Sequence, residues 1–227
     1  VLDRSASSST GGAALRRDEY NFHNVTGANT PEPRAGKLIT QTTFRHTNSG
    51  ACSGWQIAST WDATWCRMAQ ASTQWSAWTL SGAVETAATP GTTQPVWVRQ
   101  ESQTTVTDGT ATSVATFYEP VRQGGGQYGN VTLVKEFDGS AVNTTPLRQT
   151  TTDYYPNVGA NLVGQPGRVR IYNFSGACVN EQRLVYDSAP SATTGSFTTP
   201  PVKGLATMSM QALAACTDTN PIPLGDG

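Results

Sequence analysis

The stretch QYGNVTLVKEFDGSAV, residues 127–142, decides the fold class. A glycine start leads into a largely alternating apolar run, then Asp138-Gly139, then the beginning of a second run. Asp and Gly tolerate the positive φ of tight primed turns, so this pattern predicts a β-hairpin. The same grammar recurs elsewhere. VWVRQESQTTVT meets Asp108-Gly109 and continues as TATSVATFYEP, and GRVRIYNF meets Ser175-Gly176 and continues as ACVNEQRLVYD. An earlier copy, GKLITQTTFRHTNSGA, has the same shape with a longer turn. Almost no stretch from residue 96 onward keeps a 3.6-residue apolar period. The chain is therefore expected to be all-β, an antiparallel hairpin array forming a sheet or sandwich.

The hairpins also align with one another. Gly36-Lys37-Leu38, Gly129-Asn130-Val131 and Gly167-Arg168-Val169 each open one, and second strands end in FYEP (117–120), DYYPN (153–157) and VYD (185–187). Unequal spacing makes this a degenerate array rather than a strict solenoid. The order Gly-polar-aliphatic, strand, glycine turn, strand, Tyr-Asp resembles the RHS or YD-repeat family over about residues 96–210. The resemblance implies a continuous wall of antiparallel hairpins with an extracellular, structural habit. Shells of that family use many repeats to enclose a cargo and close with an Asp-Pro-Gly type core. This chain has too few hairpins to enclose anything and lacks that core.

Four segments are expected: an extended polar segment over 1–20 in contact with other subunits, a β-rich region with a Trp-rich disulfide loop over 21–95, the YD-repeat-like array over 96–216, and a tail over 217–227. The first residue, Val1, fits either a processed secreted chain or a piece of a longer one.

Charge excludes several functions. Charged residues make up 14% of the 227 and the net charge is −1, which removes the long-range attraction that nucleic acid or an anionic membrane needs. The longest apolar pieces, such as KLIT and VTLV, fall far short of the roughly 18–20 residues that span a bilayer. Neither nucleic acid nor membrane is expected as a partner.

Cys52, Cys66, Cys178 and Cys216 form an even set without a CxxC pair, and His23 and His46 are the only histidines. No metal site is expected from such a set, and no cofactor motif appears. Two disulfides in an oxidising compartment are expected, sequential pairing being one of three connectivities; four buried thiols in a cytosolic core are the alternative.

Residues 53–82 hold Trp55, Trp61, Trp65, Trp75 and Trp78, five of the six tryptophans. Core packing, a subunit interface and a sugar-stacking platform all fit that density. N-x-[ST] sequons at Asn24, Asn130, Asn143 and Asn173 are candidate glycosylation sites. No G-x-S-x-G elbow accompanies the two histidines, and Asp62, Glu85, Asp153 and Asp187 form no spacing that marks a carboxylate pair. Asp187 reads as a turn acid. No catalytic residue is assigned. The expectation is a non-enzymatic extracellular or cell-surface protein that associates with copies of itself into a filament, sheath or surface assembly, with a carbohydrate- or receptor-binding adhesin module as the alternative.

Overall fold

Strand-forming sequence dominates the structure, a computed structural model that describes residues 16–23, 32–46, 52, 65–122, 127–140, 145–187, 200–211 and 216. Eleven strands run in chain order: β1 (Arg16–Phe22), β2 (Leu38–His46), β3 (Trp65–Ser81), β4 (Val84–Ala87), β5 (Val96–Thr107), β6 (Thr110–Tyr118), β7 (Val131–Asp138), β8 (Arg148–Tyr154), β9 (Pro166–Asn173), β10 (Cys178–Tyr186) and β11 (Ala206–Gln211). They form one sheet in the order β1-β2-β3-β5-β6-β7-β8-β9-β10-β11, with β4 paired to β3. No helix occurs among the described residues. The all-β antiparallel hairpin array expected from sequence is the observed fold.

Local chemistry sets the turns. Asp108 and Gly109 both take positive φ, 47° and 78°, and join β5 to β6. Gly82, Gly139 and Gly176 take positive φ after β3, β7 and β9. The Asn173 side chain organises the β9–β10 turn: its Oδ1 accepts from the backbone N–H groups of Ser175 (3.1 Å) and Ala177 (3.0 Å).

The chain divides into two units, one comprising Val1–Thr79, Ala87–Ala115 and Phe137–Thr144, the other Leu80–Thr86, Thr116–Glu136 and Thr145–Gly227. In the first, buried apolar side chains are few among the described residues: Phe44, Cys66, Ala77, Ala115 and Phe137. Hydroxyls fill much of the remainder, so each needs a partner to offset its lost hydration. Thr42 accepts from Gln70 (3.2 Å), Thr73 accepts from Gln103 (3.3 Å), and Thr79 donates to the Pro95 carbonyl (2.9 Å). Ser102 donates to Gln74 (3.0 Å), and Ser113 donates to the Gly139 carbonyl (2.8 Å).

In the second unit Tyr155 and Val185 are buried, as are Arg168 and Glu181. Register explains how those charges are tolerated. Arg168 stands opposite Asp153 and Arg170 opposite Glu181, at 2.7 and 3.1 Å. Arg183 also bonds Glu181, at 2.6 Å.

Among the described residues, four strand connections share one closure. Strands β1, β6, β8 and β10 each end in an aromatic residue: Phe22, Tyr118, Tyr154 or Tyr186. The next residue's N–H then donates to the carbonyl just before the following strand: His23 to Lys37, Glu119 to Asn130, Tyr155 to Gln165, Asp187 to Leu205, each at 2.9 Å. A glycine precedes every one of those acceptors, at positions 36, 129, 164 and 204. Gly36, Gly129 and Gly204 carry positive φ of 78°, 78° and 72°, which an L side chain resists. Gly164, rather than Gly167, holds this place in the third copy.

A second bond recurs beside the first. The opening carbonyls of β2, β7 and β9 accept from aromatic side chains on the next strand: Leu38 from Trp75 Nε1 (2.7 Å), Val131 from the Tyr154 hydroxyl (2.8 Å) and Pro166 from the Tyr186 hydroxyl (2.9 Å).

Candidate functional site

β3 carries Trp65, Trp75 and Trp78, and its alternation separates them. Trp78 stands directly opposite Trp97 on β5, and Ser76 opposite Arg99. These four residues therefore share one face of the sheet. The Arg99 guanidinium lies 6.0 Å from the Trp78 ring centre and 5.8 Å from that of Trp97. Each such cation–π contact contributes about 0.5–1 kcal/mol at an exposed site. Trp78 Nε1 donates to Ser76 Oγ at 2.6 Å, which holds the indole against the strand.

Trp75 points to the opposite face, where its indole donates to Leu38 and lies 5.4 Å from Lys37 Nζ. Trp65 meets its cross-strand partner His46 edge-on, with ring centres 5.3 Å apart. All four of these tryptophans are half-buried. The sequence groups Trp65, Trp75 and Trp78 by proximity, whereas the sheet places them apart and joins Trp78 to Trp97. Trp55 and Trp61 lie outside the described residues, as do the N-terminal residues 1–15 and the tail 217–227.

Carboxylates in the second unit hold backbone. Glu119 Oε1 accepts from Tyr128 N (3.0 Å), Asn130 N (3.3 Å) and Asn130 Nδ2 (2.6 Å). The Asp187 carboxylate accepts from four successive N–H groups: Val202 (2.6 Å), Lys203 (2.7 Å) and Gly204 (3.2 Å) on Oδ2, and Leu205 (3.0 Å) on Oδ1. The Lys203 N–H bond, with its neighbours, holds the Asp187 pKa below the ordinary carboxylate value. A small cleft of about 70 Å³ lies beside Glu119, Asn130, Asp153 and Tyr154. Glu119 there accepts from three donors, Asn130 Nδ2 donates to Glu119 and the Val163 carbonyl, and Asp153 accepts from Arg168. Burial raises the Tyr154 pKa, and the charge of Glu119 adds to the effect.

Among the described residues no cluster of three His, Cys, Asp or Glu side chains is placed to hold a metal ion. Of the sequons, Asn130 uses its amide nitrogen in the two bonds above, and Asn173 uses its carbonyl oxygen in the β9–β10 turn beside Phe174, which is 69% exposed. Asn24 and Asn143 lie outside the described residues.

Cys52 pairs with Cys66 and Cys178 with Cys216, with Cα separations of 5.4 and 5.6 Å. Two disulfides were expected, and the pairing is the sequential one of the three connectivities. Sequence separations of 14 and 38 correspond to about 3 and 4 kcal/mol in the chain-entropy treatment. Two such bridges indicate an oxidising environment of the extracellular type. Among the described residues no helix is long and apolar enough to cross a membrane.

In comparison with known proteins, no family model matches the chain, and no curated protein and no solved structure matches it.

Proposed function

We propose that the chain is a non-enzymatic structural protein of the extracellular space or cell surface, and that it self-associates into a filament, sheath or surface assembly. One observation carries this reading. Among the described residues the sheet begins at β1 and ends at β11, each with a single hydrogen-bonded neighbour. A strand edge is a template for another chain. The commitment of Glu119, Asp153 and Asp187 to structural bonds supports the non-enzymatic part. The YD-repeat resemblance supports a wall-like role. Sedimentation of the purified chain over a wide concentration range tests the reading: mass rising with concentration supports it, and an invariant monomer opposes it.

The Trp78, Trp97 and Arg99 face favours a second reading, carbohydrate binding, because flat indoles offer contact area at low entropic cost. On this reading Trp97→Ala abolishes binding on a glycan array and leaves the thermal midpoint within a few degrees of wild type. Array binding unchanged in Trp97→Ala argues against it.

A further inference from the structure

We propose that β11 is a two-fold interface, pairing antiparallel with β11 of a second copy about an axis through Ser209. The proposal rests on the self-association reading above and names its contact.

The two terminal strands differ in chemistry. β1 reads RRDEYNF and carries Arg16, Arg17, Asp18 and Glu19, a charge pattern that guards an edge against strand addition. β11 reads ATMSMQ, with no charge and no proline. On one side it is paired to β10, with Met208 opposite Val185, Ser209 opposite Leu184 and Met210 opposite Arg183. On the other side no strand is paired to it among the described residues.

The occupant follows from the strand itself, which is nearly palindromic about Ser209. Antiparallel pairing of two copies centred there sets Ser209 against Ser209, Met208 against Met210 and Thr207 against Gln211. Every pair joins like with like, and no charge is desolvated. Met208 and Met210 are half-buried while Thr207, Ser209 and Gln211 are exposed, so the pairing brings four methionines together on one face and hydroxyls and amides on the other. Ser209 Oγ already accepts from Gln182 Nε2 at 2.8 Å, which fixes it on the polar face.

Five paired residues span about 17 Å, and a contact of that length falls below the roughly 1,000 Å² of a stable interface. The dimer is therefore weak and concentration-dependent. Because the pairing is isologous it closes at two copies, and growth to a filament requires a second contact elsewhere on the chain.

Single cysteine substitutions read the register directly, since all four native cysteines are in disulfides. In a glutathione redox buffer, Ser209→Cys is expected to form a covalent dimer at least tenfold faster than Thr207→Cys or Gln211→Cys alone. Mixing the last two restores cross-linking. Ser209→Lys, which sets like charges opposite each other, removes the concentration-dependent dimer, keeps the circular dichroism spectrum of wild type and, losing only the exposed Gln182 bond, holds the thermal midpoint within a few degrees. If wild type associates but the three cysteines cross-link at equal rates, the contact lies elsewhere and the proposal fails while the self-association reading stands. If wild type is monomeric at every concentration, both fail.

Discussion

Gly167 and Tyr155 illustrate how one residue type serves two physical ends. A Cβ added at Gly167 would fall within the Tyr155 ring, at Cε2, Cδ2 and Cζ, and Tyr155 is only 3% exposed. At Gly36 a Cβ meets nothing within 4 Å, and the requirement there is the positive φ of 78°. Gly167→Ala is therefore expected to cost about 1–3 kcal/mol through overpacking, against about 1 kcal/mol for Gly36→Ala. Urea midpoints of the two variants check the order. The Tyr155 hydroxyl is buried without a hydrogen-bond partner among the described residues, and burial pushes its pKa up to about 12. Tyr155→Phe should leave stability unchanged or raise it. None of this is legible in sequence. A glycine demanded by the ring of a residue just past another strand and a glycine demanded by φ are the same letter, which is why Gly167-Arg168-Val169 aligns with the strand openings although Gly164 occupies that place.

At the scale of elements, the Tyr-acid pairs gain a physical meaning. In two of the four closures the residue after the aromatic is a carboxylate that also accepts the N–H of the residue before the next strand: Glu119 from Asn130, and Asp187 from Leu205. The bonds run in both directions and pin the connection. Asp187 adopts a positive φ of 58° to do so. Its folded pKa lies below the ordinary 3.8, so its contribution is present above that value and is lost as pH falls through the lower folded value. Wild type should accordingly lose urea resistance as pH falls below the ordinary 3.8, and Asp187→Asn should flatten that part of the profile. Equal slopes in the two proteins would remove this role from Asp187. Turns such as Asp108-Gly109 were legible because their chemistry is local. The cross-strand pairing of Trp78 with Trp97 was not, because it depends on the register of β3 and β5, including the irregularity between Gln74 and Trp75.

For the whole molecule, fold class and the presence of two disulfides were readable from alternation, turn residues and an even cysteine count, whereas the choice among three connectivities was settled by the structure. The identity of the sheet's ends was not readable either. That β1 and β11 are terminal among the described residues depends on pairings among all the strands between them. The proposed function turns on those ends. Sedimentation equilibrium of the wild-type chain, from low micromolar to millimolar concentration, tests it most directly. Reversible growth of the weight-average mass with concentration is the predicted result; a single monomeric species throughout would contradict it.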